Sequence, residues 1–398
     1  MIVKFVAYLI AYAVYPFSYL IIRKRMRYAF GSFKGSFNDN AKYLFIYASE
    51  HCPDREVAWL SDNGETVAYV RSLGFKAYKV TTFRGAWYAL TSKYWFFNAY
   101  TSDIMFCLSG GAVCCNLWHG VGIKRIEYNI TSGELARRYQ KKDLLDVFFH
   151  PQVFRKPDYV LSSTPFQTIF FSTSFRVKPS ACLELGYPRN EILLCSDDAR
   201  MMFVKKYSNR TVIDLMERIK TAQRVYIYMP TWRDSQLTLF TQGMDLDRLN
   251  DVLRKHGDLL LLKPHANVQI DGSADVGWSN IVMIEGGVDV YPLLPYTDVL
   301  ITDYSSILYD YILMPGKGVL LYLYDYADYV AMRDFFFPYD ENVVGCRVYD
   351  FDSLVDAVDN HKVGVDEGER LRLVEKFWGE TARYNSSQKI MDFFKDKS

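Results

Sequence analysis

Asp298-Val-Leu-Ile-Thr-Asp-Tyr-Ser-Ser-Ile-Leu-Tyr-Asp310 is the stretch that decides the fold. Its first half, Val299 to Thr302, is a short apolar run of β-formers and predicts a strand. Beyond Ser305 and Ser306, the apolar residues Ile307, Leu308, Tyr311 and Ile312 recur at helical spacing, with one of the two serines as N-cap. Residues 318–324 then predict a second buried strand. The turn of such a strand–turn–helix–strand unit offers two hydroxyls and unpaired N–H groups at a helix start, which suits a phosphate. A serine-capped helix without a ligand reads the same locally. The surrounding chain has to discriminate.

Strand and helix patterns alternate on either side of this unit. Residues 42–49, 57–61, 76–81, 113–118, 159–163 and 182–186 predict strands, and 65–73 and 85–97 predict helices. A second series has strands at 224–229, 259–263 and 280–284 and an amphipathic helix at 246–255. This alternation predicts an α/β protein with parallel sheets wrapped by helices. The expected organisation is an apolar helix with a basic flank over 1–30, a Rossmann-like domain over 31–200, a second over 201–365, and a helical tail over 366–398 that packs back on the first.

The chain has 398 residues, 50% of them hydrophobic, and a formal charge of +1. That is room for two cores and no polyanion-seeking balance, so no nucleic-acid partner is expected. The seven cysteines are scattered without CxxC spacing, which predicts free thiols rather than disulfides or zinc. Residues 5–22 carry no charge and are followed at once by Arg23-Lys24-Arg25-Met26-Arg27. The run is at the lower edge of bilayer-spanning length. The basic cluster favours a cytoplasmic position for everything downstream and contact with anionic headgroups. Pro16 inside the run leaves a span, an in-plane helix and a buried domain helix all open.

In open α/β sheets ligands sit beyond the carboxyl ends of the strands, so chemistry-bearing residues should follow strands. They do. Strand 113–118 runs into His119-Gly120 and then Lys124, and strand 224–229 into Pro230-Thr231-Trp232-Arg233-Asp234. Strand 259–262 runs into Lys263-Pro264-His265, and the central strand into Thr302-Asp303-Tyr304-Ser305-Ser306. Burying Arg233, Lys263 and His265 together is costly unless an anion neutralises them. His119, near-neutral in pKa and followed by a glycine that leaves room for substrate, suits proton abstraction from an alcohol. Asp303 is expected to orient its turn. No ligand spacing among the histidines and cysteines predicts a metal site.

Four motifs occur in order: Asn116-Leu-Trp-His-Gly120, Gly186-Tyr-Pro-Arg-Asn190, Met229-Pro-Thr-Trp-Arg-Asp234, and Thr302-Asp-Tyr-Ser-Ser306 with Asp310-Tyr311. Together they resemble the CDP-glycerol glycerophosphotransferase family of teichoic-acid and capsule synthesis, over roughly 31–329. Val121-Gly122 stands where that family commonly has Thr-Pro, and Ala266 where it often has proline. The resemblance implies a GT-B fold, two Rossmann-like domains with a cleft between them and the nucleotide donor held mainly by the second. It implies transfer of a polyol phosphate, glycerol phosphate foremost, from a CDP-polyol to a hydroxyl of a lipid-linked or glycan acceptor, releasing CMP. The implied location is the cell membrane, peripheral or held by one N-terminal anchor, with the catalytic domains cytoplasmic. The family's histidines fall on His119 (the base) and His265, its arginine on Arg233, and its phosphate-binding turn on Thr302, Asp303, Ser305 and Ser306. By position Thr231 and Lys263 join the donor side, and Gly120 and Lys124 the acceptor side. No metal or other cofactor is expected. A nucleotide-sugar glycosyltransferase on the same scaffold, and a polymerase rather than a single-unit enzyme, stay open.

Overall fold

The computed structural model describes residues 2–141, 143–231, 244–263, 277–332, 335–380 and 385–397. The chain divides into two compact units: Met1–His119 with Arg125–Glu191 and Phe377–Ser398, and Gly120–Lys124 with Ile192–Lys376.

Among its described residues the first unit is built on seven parallel strands, β1 (Lys24–Phe30), β2 (Glu56–Ser61), β3 (Ala77–Lys79), β4 (Ser92–Phe97), β5 (Val113–Asn116), β6 (Tyr159–Ser162) and β7 (Cys182–Glu184), in the order β3-β2-β1-β4-β5-β6-β7. Strand order reverses between β1 and β4, where Tyr28 pairs with Val57 on one side and Tyr94 on the other. Trp59, Trp95, Phe30 and Phe96 are fully buried around this centre. The last helix, Ser386–Lys395, completes the unit: Phe394 lies edge-on to Tyr94 and Phe96 and is fully buried.

Residues 24–30, assigned above to a basic flank, are therefore a central strand. The first domain starts before residue 31. Two of the four basic residues of the flank are used internally. The Arg23 guanidinium donates to the carbonyls of Ala89, Ser92, Leu108 and Gly110, and Arg27 pairs with Glu56. Only Lys24 and Arg25 of the four face solvent. At the other end, the units part at 191/192 rather than at 200/201. Residues 366–376 also stay with the second unit, where buried Arg370 donates to the Ile312 carbonyl at 2.6 Å.

The N-terminal apolar run does not form one long helix. Helix α1 (Ile2–Ser18) ends where Ser18 Oγ accepts the Gly110 N–H, and residues 19–22 turn into β1. Among the described residues no helix is long and apolar enough to cross a membrane. The spanning reading of 5–22 is thus corrected. Instead α1 docks on the first unit. Tyr12 stacks on Phe148 and donates to the Val147 carbonyl, and Tyr15 stacks on Phe106.

Among its described residues the second unit has six parallel strands, β8 (Val225–Tyr228), β9 (Leu259–Leu262), β10 (Ile281–Met283), β11 (Val299–Thr302), β12 (Gly318–Tyr322) and β13 (Cys346–Val348), in the order β10-β9-β8-β11-β12-β13. Helix Leu246–His256 buries Leu246, Leu249 and Leu253 along one stripe against this sheet. Its ends follow simple chemistry: Asp245 accepts the Arg248 N–H, and Gly257 takes the left-handed φ of 72°. Here too the order reverses once, between β8 and β11. That reversal is where a doubly wound sheet leaves a crevice for a ligand.

Candidate functional site

In the second unit the reversal lies between the two strands whose carboxyl ends lead to Thr231 and Thr302-Asp303. Thr302 Oγ1 donates to the Met229 carbonyl at 2.8 Å, fastening one strand end to the other. The Asp303 carboxylate, almost fully buried, accepts the N–H of Thr231 at 2.8 Å and that of Tyr304 at 2.6 Å. The backbone carbonyl of Asp303 is held by the Tyr339 hydroxyl at 3.1 Å. Asp303 is thus a brace for the turn, which fits an acid that orients backbone rather than one that reacts. Tyr304 stacks on Tyr329 with centroids 3.7 Å apart, and its buried hydroxyl donates to Asp325. Burial pushes the pKa of that hydroxyl up.

Ser305 and Ser306 lie at the mouth of this turn. Ser306 is the N-cap of the short helix Ile307–Tyr311, but its backbone is helical and its side chain makes no cap hydrogen bond. The expected capping role is therefore not used, and the hydroxyl is left to other partners. Lys263 follows β9 and donates to the carbonyls of Glu285 at 3.1 Å and Gly286 at 3.0 Å. Burial lowers its pKa to about 8, with Asp289 partly offsetting the effect. Arg233 and His265 lie outside the described residues.

His119 follows β5 in the first unit. Its ring is exposed and stacks on the Trp118 indole with centroids 4.0 Å apart. Trp118 has φ 49°, a left-handed backbone that costs a side-chain-bearing residue about 1–3 kcal/mol. Surrounding bonds hold it there. Asn116 Oδ1 accepts the Trp118 N–H at 2.8 Å, and Asn40 Nδ2 donates to the Trp118 carbonyl at 2.9 Å. Arg189 Nη2 donates to the His119 carbonyl at 2.8 Å, while its Nη1 pairs with Asp39 at 2.6 Å. Gly120 has φ 102°, so this position calls for glycine on backbone grounds alone.

Gly120–Lys124 belongs to the second unit, not to the acceptor-side first domain expected for Gly120 and Lys124. Ile123 accepts the Phe336 N–H at 2.7 Å, and a Cβ at Gly122 would come 3.8 Å from that of Ser306. Lys124 Nζ lies 3.4 Å from Thr231 Oγ1 and from the Tyr329 hydroxyl. The structure thus gathers Thr231, Lys124, Thr302, Asp303 and Ser306 in one unit and gives His119 its own rigid mounting in the other. Asn40, Asp39 and Arg189 were missed as parts of that mounting. Arg189 stands in a motif quoted above for resemblance without a role, and Asn40 lies just before residues 42–49, which read as a strand.

Known proteins with this architecture give the comparison its content. The chain is 27% identical over 351 residues to a teichoic acid glycerol-phosphate transferase of Staphylococcus aureus (strain NCTC 8325 / PS 47), covering 83% of this chain and 82% of that one. It is 32% identical over 219 residues to the teichoic acid ribitol-phosphate polymerase TarL of the same organism, covering 54% of this chain and 36% of the polymerase. Its fold matches that of the wall teichoic acid polymerase TagF with a TM-score of 0.75 at 22% identity, covering 94% of this chain and 90% of the other. With a family profile matching residues 14–395, the chain belongs to the CDP-glycerol:poly(glycerophosphate) glycerophosphotransferase family.

Proposed function

We propose that the chain transfers a polyol phosphate, glycerol phosphate foremost, from a CDP-polyol to a hydroxyl of a lipid-linked or glycan acceptor in cell-envelope polymer synthesis. The observation that carries this reading is the braced Thr231–Asp303 turn at the strand reversal of the second unit, in a chain of this family. A loosely held diphosphate needs positioning and charge stabilisation more than covalent chemistry. Thr231, the Thr302-Asp303 turn, Ser305, Ser306, Lys263 and, by family correspondence, Arg233 and His265 would supply these without a metal. Lys124, beside Thr231, joins that donor set.

In the step itself the acceptor hydroxyl gives its proton to the His119 imidazole while its oxygen bonds to the β-phosphorus. The pyrophosphate P–O bond breaks and CMP leaves with the electron pair. His119→Ala should cut turnover by about 10²-fold or more with donor binding kept, since a general base contributes about that much. Transfer of radiolabelled glycerol phosphate from CDP-glycerol measures it, and a near-normal rate rejects the role. CMP as the released nucleotide, with a phosphodiester product, separates this reading from transfer of a sugar.

The acceptor side of the proposal includes the membrane. Phe5, Val6, Leu9 and Ile10 on α1 are exposed, as are Leu144 and Leu145 on the helix Leu144–Phe149 against which α1 packs. Such a surface suits an enzyme resting on the cytoplasmic face of a bilayer through an in-plane helix.

A further inference from the structure

The mounting of His119 points beyond the residues that touch substrate. The backbone of three consecutive residues between β5 and Gly120, Leu117, Trp118 and His119, is held at each of them. Leu117 N–H donates to the Phe97 carbonyl at 2.7 Å, the Trp118 N–H to Asn116 at 2.8 Å, and the carbonyls of Trp118 and His119 accept from Asn40 and Arg189. The two donors are themselves linked, because the Arg189 N–H donates to Asn40 Oδ1 at 3.2 Å. Asn40 is fully buried and Arg189 5% exposed, so neither is a solvated surface group that happens to lie nearby. Asp39 adds the counter-charge, its own backbone in the left-handed region at φ 59°. Two left-handed residues that are not glycine, Asp39 and Trp118, thus belong to one hydrogen-bonded network, Asp39 through Arg189 to the His119 carbonyl and Trp118 through Asn40. Strain of this kind persists only where the surroundings over-determine it.

We infer that Asp39, Asn40 and Arg189 form a collar of positioning residues that fixes the Trp118–His119 turn, and with it the direction in which the imidazole points. The inference rests on the reading of His119 as the base. The Arg189 fork is what the collar needs: one arm on Asp39 and one on the His119 carbonyl, which a lysine ammonium cannot reproduce in the same geometry. Loss of the collar should misdirect the base without touching the donor.

Arg189→Lys keeps the charge and loses the fork. Asn40→Asp keeps the shape and loses the donor to the Trp118 carbonyl. In both, kcat with CDP-glycerol should fall by about 10²-fold, the effect of a displaced catalytic group, while the donor KM stays within about twofold. Guanidinium ion, well below denaturing concentration, should restore part of the turnover of Arg189→Ala, and no rescue counts against the fork. Backbone amide resonances of Trp118, His119 and Gly120 should move in both variants, whatever the activity. Wild-type kcat in Arg189→Lys, where His119→Ala is inactive, overturns the collar and leaves the base. Full turnover in His119→Ala overturns the base, and the collar is then judged on the resonances: unmoved Trp118 and His119 amides sink it.

Discussion

Lys263 follows β9 and sets its ammonium on two backbone carbonyls, in a setting that lowers its pKa to about 8. In the folded apo chain the amine therefore loses its proton as pH rises through about 8, well before an exposed lysine would. Between that point and the ordinary lysine value the unfolded state binds the extra proton, so this residue makes apo stability rise with pH. Donor binding runs the other way. A diphosphate favours the charged form, so binding above about pH 8 must take up a proton, and affinity should fall by up to about tenfold per pH unit. Calorimetry with CDP-glycerol from pH 7 to 9, in buffers of different ionisation enthalpy, reads both the affinity and the proton uptake. Lys263→Met should weaken binding at pH 7 and flatten the profile. A donor affinity independent of pH in the wild type excludes Lys263 from the phosphate site.

At the scale of single elements the sequence is an uneven guide. Strands after which chemistry occurs were legible: β5, β8, β9 and β11 are short, mostly apolar and followed closely by Pro, Gly or hydroxyl residues. The two strands flanking the reversal in the first unit were not. β1 hides its alternation behind Lys24, Arg25 and Arg27, with only Tyr28-Ala-Phe30 buried, and β4 follows its helix without a breaker, Ser92 Oγ bonding back to Tyr88. Residues 42–49 read as a strand because helix α2 (Asp39–His51) is buried on nearly every side, which erases the helical period. That misreading also concealed Asn40, which lies in the first turn of α2 rather than ahead of a strand. The N-terminal run was legible as apolar but not in its geometry. Helix α1 keeps Phe5, Leu9 and Ile10 in solvent, beside Leu144 at 85% exposure. Each such side chain is worth about 1.5–3 kcal/mol on full burial in an apolar phase. Ile10→Glu with Leu144→Glu should accordingly lower the fraction floating with phosphatidylglycerol-containing vesicles by about tenfold or more. Salt should matter less than the apolar substitutions, because Arg23 and Arg27 are engaged within the protein. Equal flotation of wild type and double variant would remove this face from the membrane proposal.

For the whole molecule, the order of the chain and the order of assembly differ. Unit one is written in three pieces, and the last of them, Phe377–Ser398, is made only after all of unit two. It is not a decoration. Phe394 is fully buried among Tyr94, Phe96 and Tyr159, and Ser387 donates twice to the Glu191 carboxylate, at 2.7 and 2.8 Å. Strand β4, which Phe394 covers, lies next to β5 and hence next to the strand that mounts His119. Phe394→Ala removes an aromatic from this packing and should destabilise by about 3–5 kcal/mol, the usual cost of such a cavity. Because the two units have separate cores, the loss should be local. Hydrogen exchange should quicken at β1, β4 and β5 and leave β8, β9 and β11 protected, so that donor affinity survives while turnover falls with rising temperature. Uniform loss of protection across both sheets would instead mean that the two cores melt as one, and the C-terminal helix would then stabilise the donor site as much as the base.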